Sequence, residues 1–373
     1  MSFNFDTVLN PPRPKRSLLA ALCNTPGASG HEQPVKDLFL EQVGQLGMVV
    51  HDGLGGAMVE REGSKGGPRI LLDAHLDEVG FMVKAIQSNG LIRFVCLGGW
   101  APEVLPAQMV EIHTPNGTVL GVITARSAHF KQNPAFAELR IDVGATSESE
   151  VKGLGITIGN VAVPATKFSN MAHQDRVCAK ALDNRAGVGV MIEVMRHLEN
   201  ATLPNTLIAG GSVQEEVGIR GAAAMAHLAK PDVVVVLEAP PADDVLEQDC
   251  CQGRLGCGPQ LRLYDPTCIM NQELCAHIKK VADHLNIPVQ LAVRESGGTN
   301  ARGYQQYGKG VPVVVIGVPA RYIHCHAGIM SWSDYLHMCH LVSGLVYSLD
   351  RHCVDGFTRR KHLRTSLKEE RGL

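Results

Sequence analysis

Short runs rich in aliphatic residues, separated by segments with helical spacing, constrain the fold of this chain more than any other feature. The runs lie at residues 69–72, 206–213, 233–237 and 311–318. A strand that is covered on both faces is apolar throughout instead of alternating. Helical spacing at 17–23, 32–45, 183–197, 222–229, 271–284 and 333–350 supplies elements that could cover such strands. The pattern predicts an α/β fold with a largely parallel sheet flanked by helices.

The stretch from residue 80 to residue 168 has a different pattern. Alternating segments at 91–96, 109–113, 119–124 and 139–143 are separated by Asn-Gly and Gly-Gly pairs, which are typical of antiparallel strands and turns. A chain of 373 residues also exceeds the size at which one core usually stops growing. We therefore predict a small β-rich domain at 80–168, inserted into a larger domain formed by 1–79 and 169–373.

Composition and charge exclude several classes of protein. A formal net charge of -2 gives no positive field of the kind that nucleic acids or anionic membranes require. Polar or Gly and Pro residues interrupt every apolar run before the roughly 20 residues of a membrane span. The 11 cysteines form no CxxC pair, and the N-terminus lacks the apolar core of a signal peptide. We expect a cytoplasmic protein with reduced thiols, and a solvated tail at the basic run 359–364.

Acidic residues and histidines follow the ends of the predicted strands. Ligand sites of α/β sheets lie beyond the carboxyl ends of the strands, so these side chains are expected to converge. Alone, each has an ordinary explanation as a surface histidine, a helix cap or a solvated acid, but their joint occurrence favours a common site. The candidates are His75 and Asp77, Asp183 at a helix start, Glu215 and Glu216, Glu238, and His324.

This set of side chains is typical of a metal site. Two imidazoles and several carboxylates without thiolates suit Zn²⁺, Co²⁺ or Mn²⁺. The number of carboxylates favours two ions with a bridging carboxylate, for which Asp183 is the candidate. In an extended chain Asp77 lies on the same side as His75 and can accept its second ring N–H. Of the adjacent Glu215 and Glu216, one can bind metal while the other takes a proton from water.

Four ordered motifs resemble those of the M42 family of metallo-aminopeptidases. They are AHLDEVG at 74–80, KALDNR at 180–185, QEEVG at 214–218 and RYIH at 321–324, and the resemblance extends over about residues 17–350. The resemblance implies a zinc-peptidase-like mixed sheet and a β-barrel-like insert used for dimerisation, in subunits that assemble into dodecameric shells. It also implies peptide substrates and two divalent metal ions per subunit, with Zn²⁺ or Co²⁺ ahead of Mn²⁺. In the roles that it implies, His75, Asp183 and Glu238 hold one ion, Asp183, Glu216 and His324 hold the other, Glu215 is the general base and Asp77 orients His75.

The sequence departs from the family pattern at three places. Asn300 stands where the family usually has Asp, Cys325-His326 follows His324 in place of a small residue and proline, and Glu238 stands where Asp is common. We expect the first two to lie near the substrate cleft and to affect residue preference. Alternatives to an aminopeptidase are a metal-dependent deacylase, a glycosidase, and a non-catalytic metal-binding assembly protein, although the last has no need for Glu215.

Overall fold

The computed structural model describes residues 10–126, 129, 136–245 and 250–358. Within these residues a mixed sheet is flanked by helices, and a closed barrel and a small second sheet accompany it. The predicted α/β fold class with an inserted barrel-like unit is confirmed. The basic run at 359–364 lies outside the described residues.

The main sheet contains the aliphatic runs that the sequence singled out. Its strands are β1 (Met48–His51), β2 (Ala57–Arg61), β3 (Arg69–His75), β12 (Thr206–Ser212), β13 (Val233–Glu238), β14 (Gln260–Asp265), β15 (Cys268–Ile269), β16 (Gln290–Val293) and β17 (Val313–Gly317). They run in the order β1-β2-β12-β3-β13-β17-β14-β15, and β16 pairs with β14. The central strands β12, β3, β13 and β17 are parallel. Because β2 and β14 are antiparallel to their inner neighbours, the sheet is mixed rather than largely parallel.

The barrel forms from the stretch with alternating residues. Its strands are β4 (Gly80–Ile86), β5 (Ile92–Leu97), β6 (Met109–Thr114), β7 (Gly117–Ile123), β8 (Ile141–Asp142) and β9 (Val161–Pro164), closed in the order β4-β5-β8-β7-β6-β9. Alternate side chains point inward, and Phe81, Ile112 and Ile141 are fully buried in a core separate from that of the main sheet. The barrel therefore has its own hydrophobic core.

A small sheet lies at one end of the parallel strands. It consists of β10 (Ser169–Asn170), β11 (Arg176–Ala179), β18 (Ala320–Arg321) and β19 (Gly328–Ser331). The sequence pattern did not predict it, because strands of two to four residues are too short for a periodic signal. The turn between β18 and β19 carries His324.

The helices pack around the main sheet, except for one short helix whose Val151 belongs to the barrel core. They are α1 (Arg16–Asn24), α2 (Gln33–Val43), α3 (Glu148–Gly153), α4 (Leu182–His197), α5 (Gly221–Ala229), α6 (Gln272–His284), α7 (Ala301–Gln305), α8 (Trp332–Ser348) and α9 (Arg351–Thr358). Side-chain caps fix three of these starts: Ser147 accepts from the amide of Glu150, Asn271 from that of Leu274, and Ser331 from that of Asp334. Among the described helices, none has the length and apolarity needed to cross a membrane.

A buried polar cluster anchors α7 beneath the parallel strands. The Tyr304 hydroxyl donates to Asp73 Oδ1 at 2.7 Å, and Asn300 Nδ2 donates to Asp73 Oδ2 and to Ser212 Oγ, both at 2.8 Å. All four residues are fully buried. Burial raises the pKa of Asp73 to about 6, although the hydrogen bonds act in the opposite direction. The Asn300 side chain thus serves a structural cluster, while its neighbours Gly298 and Thr299 line the cavity at the ends of the parallel strands.

Tyr304→Phe is expected to lower the free energy of unfolding by about 1–3 kcal/mol, because a buried carboxylate oxygen loses its donor. Urea denaturation measures the change. Tyr307→Phe is the matched control on a half-buried ring that packs against His227, and its effect should stay below about 1 kcal/mol. Equal unfolding free energies for the two variants would contradict the assignment.

Candidate metal centre

The carboxyl ends of the central strands deliver most of the predicted site residues to one place. His75 and Glu238 are the last residues of β3 and β13, and Glu215 and Glu216 follow shortly after the end of β12. Because these three strands are parallel neighbours, their ends meet at one edge of the sheet. The side chains line a cavity of about 430 Å³, together with Asp183 and His324.

Asp183 lies between the two histidines. Its Oδ1 is 3.3 Å from His75 Nε2, and its Oδ2 is 3.6 Å from His324 Nε2. Glu238 Oε2 lies 3.6 Å from His75 Nε2, and Glu216 Oε2 lies 3.3 Å from His324 Nε2. The structure therefore brings together two three-residue groups that share Asp183, each with its ligand atoms within 4.8 Å of one another.

Asp183 lies in the first turn of α4, as expected, but this turn is not regular. Although α4 begins at Leu182, Asp183 and Asn184 have non-helical backbone angles. The Asn184 side chain replaces the missing helical contacts, since its Nδ2 donates to the carbonyl of Leu237 at 2.7 Å and its Oδ1 accepts from the amide of Gly187 at 3.0 Å. The irregular start of α4 lets the Asp183 side chain reach both histidines.

Buried carboxylate oxygens in this cluster have unmet bonding capacity. Within the described part of the chain, Asp183 Oδ1, Glu216 Oε1 and Glu238 Oε1 are buried without a hydrogen-bond partner. An ionised carboxylate taken from water in this way is strongly disfavoured unless a cation or donor compensates. Imidazole nitrogens and carboxylate oxygens are the donors that borderline divalent cations accept, so the residues present fit such ions.

The electrostatics of the cluster favour positive charge. Burial alone would lower the pKa of His75, but Glu238, Asp183 and Asp77 outweigh it and raise that pKa well above its usual value. Burial also lowers the pKa of His324, but the nearby acids Asp183 and Glu216 outweigh burial and raise this pKa to about 10. The acids concentrated here thus stabilise positive charge beside His75 and beside His324.

Each histidine has its outer ring nitrogen held by a partner. His75 Nδ1 lies 3.2 Å from the Asp77 carbonyl and 3.3 Å from Asp77 Oδ1. His324 Nδ1–H donates to the carbonyl of Gly99 at 2.8 Å, across the junction with the barrel. Gly98 precedes this carbonyl with a φ of +85°, a conformation that glycine adopts without strain. Both contacts leave Nε2 directed at the acids, as a metal ligand requires.

Asp77 also fixes the loop that carries the two glutamates. Its carboxylate accepts from the Ser29 hydroxyl at 2.6 Å and from the amides of Glu215 and Glu216 at 3.0 and 3.1 Å. Burial would raise the pKa of Asp77, but these donors and His75 hold it below its usual value. The ionised carboxylate of Asp77 therefore positions His75 at the end of β3 and the two glutamates after β12.

Glu215 differs from its neighbour in its environment. It lines the cavity beside the two three-residue groups that share Asp183, and its amide is held by Asp77. Burial, together with Glu238, Glu216 and Asp77, raises the pKa of Glu215 well above its usual value, although His75 acts to lower it. A carboxylate with raised proton affinity beside a cation site is suited to accept a proton.

A buried charge cluster that sequence reasoning missed lies behind the site. Glu78 Oε1 and Oε2 accept from Lys180 Nζ at 2.6 and 2.7 Å, and Oε1 also accepts from Arg185 Nη2 at 3.2 Å. Arg185 additionally donates to the carbonyls of Leu76 and Asp77. All three charged side chains are buried. The cluster ties the turn after β3 to the start of α4, and its residues lie inside two of the motifs quoted above.

His326, which was expected near the substrate cleft, lies at the junction with the barrel. It is buried, and its ring centroid is 5.1 Å from that of Trp100 and 6.2 Å from that of Phe81. Burial lowers the pKa of His326 to about 4, so the ring is neutral at pH 7. His326 is therefore a domain-packing residue and not part of the cavity wall, while Cys325 lines only a small adjacent space beside Asp183.

The fold and the site together define a class: an α/β domain with an inserted barrel, whose strand ends carry a candidate cation site of two histidines and several carboxylates. The family model described as M42 glutamyl aminopeptidase matches residues 55–341. This chain belongs to the M42 peptidase family, whose members are metal-dependent, and it is an aminopeptidase-type peptide hydrolase.

Individual relatives and one solved structure support this membership. The chain is 35% identical over 340 residues to the glutamyl aminopeptidase of Lactococcus lactis, covering 88% of this chain and 95% of the relative. It is 28% identical over 342 residues to the lysyl aminopeptidase of Pyrococcus furiosus, covering 89% and 96%. A dodecameric structure of PhTET1 superimposes with a TM-score of 0.82 at 28% identity, covering 90% of this chain and 100% of that one.

Lys180→Met is expected to lower the free energy of unfolding by about 3–5 kcal/mol, because it breaks a fully buried ion pair with Glu78. Lys152→Met is the matched control, since it removes an exposed ion pair with Glu148 that has the same distance of 2.6 Å. It should change the free energy of unfolding by less than about 1 kcal/mol. Chemical denaturation of both variants measures the difference. A Lys180→Met protein as stable as its control would show that the cluster is not a structural anchor.

Proposed function

We propose that this chain is a dinuclear metallo-aminopeptidase, with one ion held by His75, Asp183 and Glu238 and the other by Asp183, Glu216 and His324. The observation that carries this proposal is that the two oxygens of Asp183 face the Nε2 atoms of two different histidines. That arrangement suits a carboxylate that bridges two cations. The donor set of nitrogen and oxygen atoms favours Zn²⁺ or Co²⁺, and then Mn²⁺.

The ions would supply Lewis acidity, which activates water for attack and polarises the scissile carbonyl. Glu215 accepts the proton of the attacking water, because its raised pKa and its place on the cavity wall suit it to that role. The same carboxyl then returns the proton to the departing amine. Asp77 acts through other residues, since it holds the His75 ring and the backbone of Glu215 and Glu216.

Other hydrolases fit the arrangement less well. Glycoside hydrolysis usually needs a pair of carboxylates and no metal, so it leaves the two histidines beside Asp183 without a role. A deacylase of acylated amino acids would use the same centre. Release of residues from aminoacyl-anilides and from N-acetyl amino acids, each measured with Zn²⁺, Co²⁺ and Mn²⁺, separates the two substrate classes.

Glu215→Gln should reduce kcat by about 10²–10⁴-fold, since the amide cannot accept a proton. The metal content of the variant, measured by elemental analysis, should stay at two ions per chain. Glu273→Gln, a change on the exposed face of α6, is the matched control and should keep full activity. Wild-type turnover in a fully metallated Glu215→Gln protein would remove Glu215 from the base role.

The barrel offers a surface for assembly. Met109 on β6 is paired with Val122 on β7, and Leu120 lies two residues before Val122 on the same face. All three are exposed, by 48%, 40% and 52% respectively, which is costly for an isolated barrel. Since PhTET1 is a dodecamer, we propose that this chain also forms a homo-oligomer built from dimers through the barrel.

Light scattering on the native protein should therefore give a mass far above the 40.1 kDa of one chain. The double variant Leu120→Glu, Val122→Glu should give smaller species, because charges would be buried at the contact. Ser149→Glu adds a charge on the exposed face of α3 and should leave the mass unchanged. A monomeric wild-type protein would overturn the proposed assembly.

A further inference from the structure

Glu32 is a buried acid outside the metal centre. It immediately precedes α2, and only 4% of its surface is exposed. It does not belong to the described residues that line the cavity of the metal centre. The sequence pattern indicated only that it begins a helix. A carboxylate withdrawn from water needs hydrogen-bond donors, so its partners indicate what it does.

The recorded partners of Glu32 are two backbone amides. Its Oε1 accepts from the amide of Gly30 at 2.8 Å and from the amide of Gln214 at 3.0 Å, although Gln214 is 182 positions away along the chain. The second contact reaches the loop that carries the two glutamates of the site. Asp77 holds the next two amides of that loop. Each of the three successive amides of residues 214–216 therefore donates to a carboxylate from another part of the chain.

This use of Glu32 leaves the start of α2 without a side-chain cap. The residue before a helix often accepts from an amide of the first turn, but the Glu32 side chain makes no such bond. Its carbonyl accepts from the amides of Val35 and Lys36, both at 3.0 Å, which fixes its backbone against the helix. The carboxylate is directed instead to the loop after β12.

The segment before Glu32 is anchored to the turn after β3. The amide of Gly27 donates to Glu78 Oε1 at 3.0 Å, and the amide of Glu78 donates to the carbonyl of Gly27 at 2.9 Å. The hydroxyl of Ser29 donates to Asp77 Oδ2 at 2.6 Å. These contacts on one side and α2 on the other hold the Glu32 carboxylate in place.

Gln214 needs such a support because of its backbone conformation. Its φ is +57°, in the left-handed region that residues other than glycine rarely adopt, and Ile219 at the other end of the loop has the same φ. Between them the amides of Gly218 and Ile219 donate to the carbonyl of Glu215 at 3.0 and 2.8 Å. Such a strained loop persists only while its surroundings restrain it, so an amide that loses its acceptor would let Glu215 move.

We propose that Glu32 is a positioning residue, which holds the amide of Gln214 and thereby fixes Glu215 in its orientation for proton transfer. The inference rests on the proposed function, in which Glu215 is the base. A metal ion would restrain Glu216 directly, whereas Glu215 depends on the backbone that carries it. A displacement of about 1 Å at a catalytic group can lower a rate by about 10²-fold. Loss of the contact should therefore lower kcat and leave metal content unchanged.

Two conservative substitutions separate the reach of the side chain from its charge. Glu32→Gln keeps the length and an oxygen acceptor, so kcat on aminoacyl-anilides should stay within about threefold of the wild-type value. Glu32→Asp keeps the charge but is one methylene shorter, so it loses the contact with Gln214 and kcat should fall at least about tenfold. In both variants KM should stay within about twofold of wild type, and elemental analysis should give two ions per chain.

Glu32→Ala removes the acceptor and should lower kcat by about 10–10²-fold. Asp334→Ala is the matched control, because Asp334 is also buried and accepts from two amides, those of Gly256 and Gly258, both at 2.7 Å. None of these three control residues lines the cavity. Asp334→Ala should lower the free energy of unfolding, measured by chemical denaturation, and leave kcat unchanged. If Glu32→Ala does not fold, the two conservative variants still give the comparison.

Three results overturn the positioning role. They are wild-type kcat in Glu32→Asp, a Glu32→Gln protein as impaired as Glu32→Ala, and loss of bound metal from a folded variant, since Glu32 would then act on the ligands and not on the base. Each can occur while the wild-type protein shows metal-dependent turnover, and then only the positioning role fails. Absence of metal-dependent release from every anilide by the wild-type protein would refute the aminopeptidase function and the positioning role together.

Discussion

Burial of several carboxylates around one point is the constraint on which the rest of this structure depends. Asp183, Glu216 and Glu238 each keep a buried oxygen without a hydrogen-bond partner within the described residues, and Asp183 faces two histidines. Carboxylates at such short range stay ionised only if cations lie among them, and otherwise their pKa values rise and they bind protons. The ends of three parallel strands and the irregular start of α4 are arranged so that this convergence occurs.

Much of the surrounding structure holds that convergence in place. Asp77 connects the end of β3 to the loop after β12 through side-chain and amide contacts, and Arg185 holds the carbonyls of the turn that contains Asp77. The barrel contributes as well, because the carbonyl of Gly99 orients the ring of His324. This hydrogen bond and the packing of His326 against Trp100 thus couple the inserted unit to the site in the larger domain.

The sequence predicted the parts of this site that depend on local pattern. Aliphatic runs located β3, β13 and β17, and the polar residues that end or follow such runs included His75 and Glu238. What it missed depends on contacts between distant residues. Lys180 and Glu78 are 102 positions apart, and nothing in their neighbourhoods indicates that they pair. Gly99 acts through its backbone carbonyl, which every residue type has, so the sequence does not indicate this role.

The residues around the cleft were the least predictable from the sequence. Asn300 was expected near the substrate cleft, and its neighbour Thr299 does line the cavity, but its own side chain is held by the buried partners Asp73 and Ser212. Arg262 and Arg294, which also line the cavity, gave no signal, since the pattern did not detect β14, which contains Arg262, or β16, which Arg294 follows, and their partners Asp265 and Asp243 are fixed only by the fold. Substrate-facing residues depend on loop and edge geometry, which periodicity does not encode.

The central claim is that two cations lie on either side of Asp183. Crystals grown with Zn²⁺ or Co²⁺, with diffraction recorded at the absorption edge of the added ion, locate those ions directly. The account predicts two anomalous peaks in each chain, one among His75, Asp183 and Glu238 and one among Asp183, Glu216 and His324. A single peak, or peaks that do not contact Asp183, would contradict it.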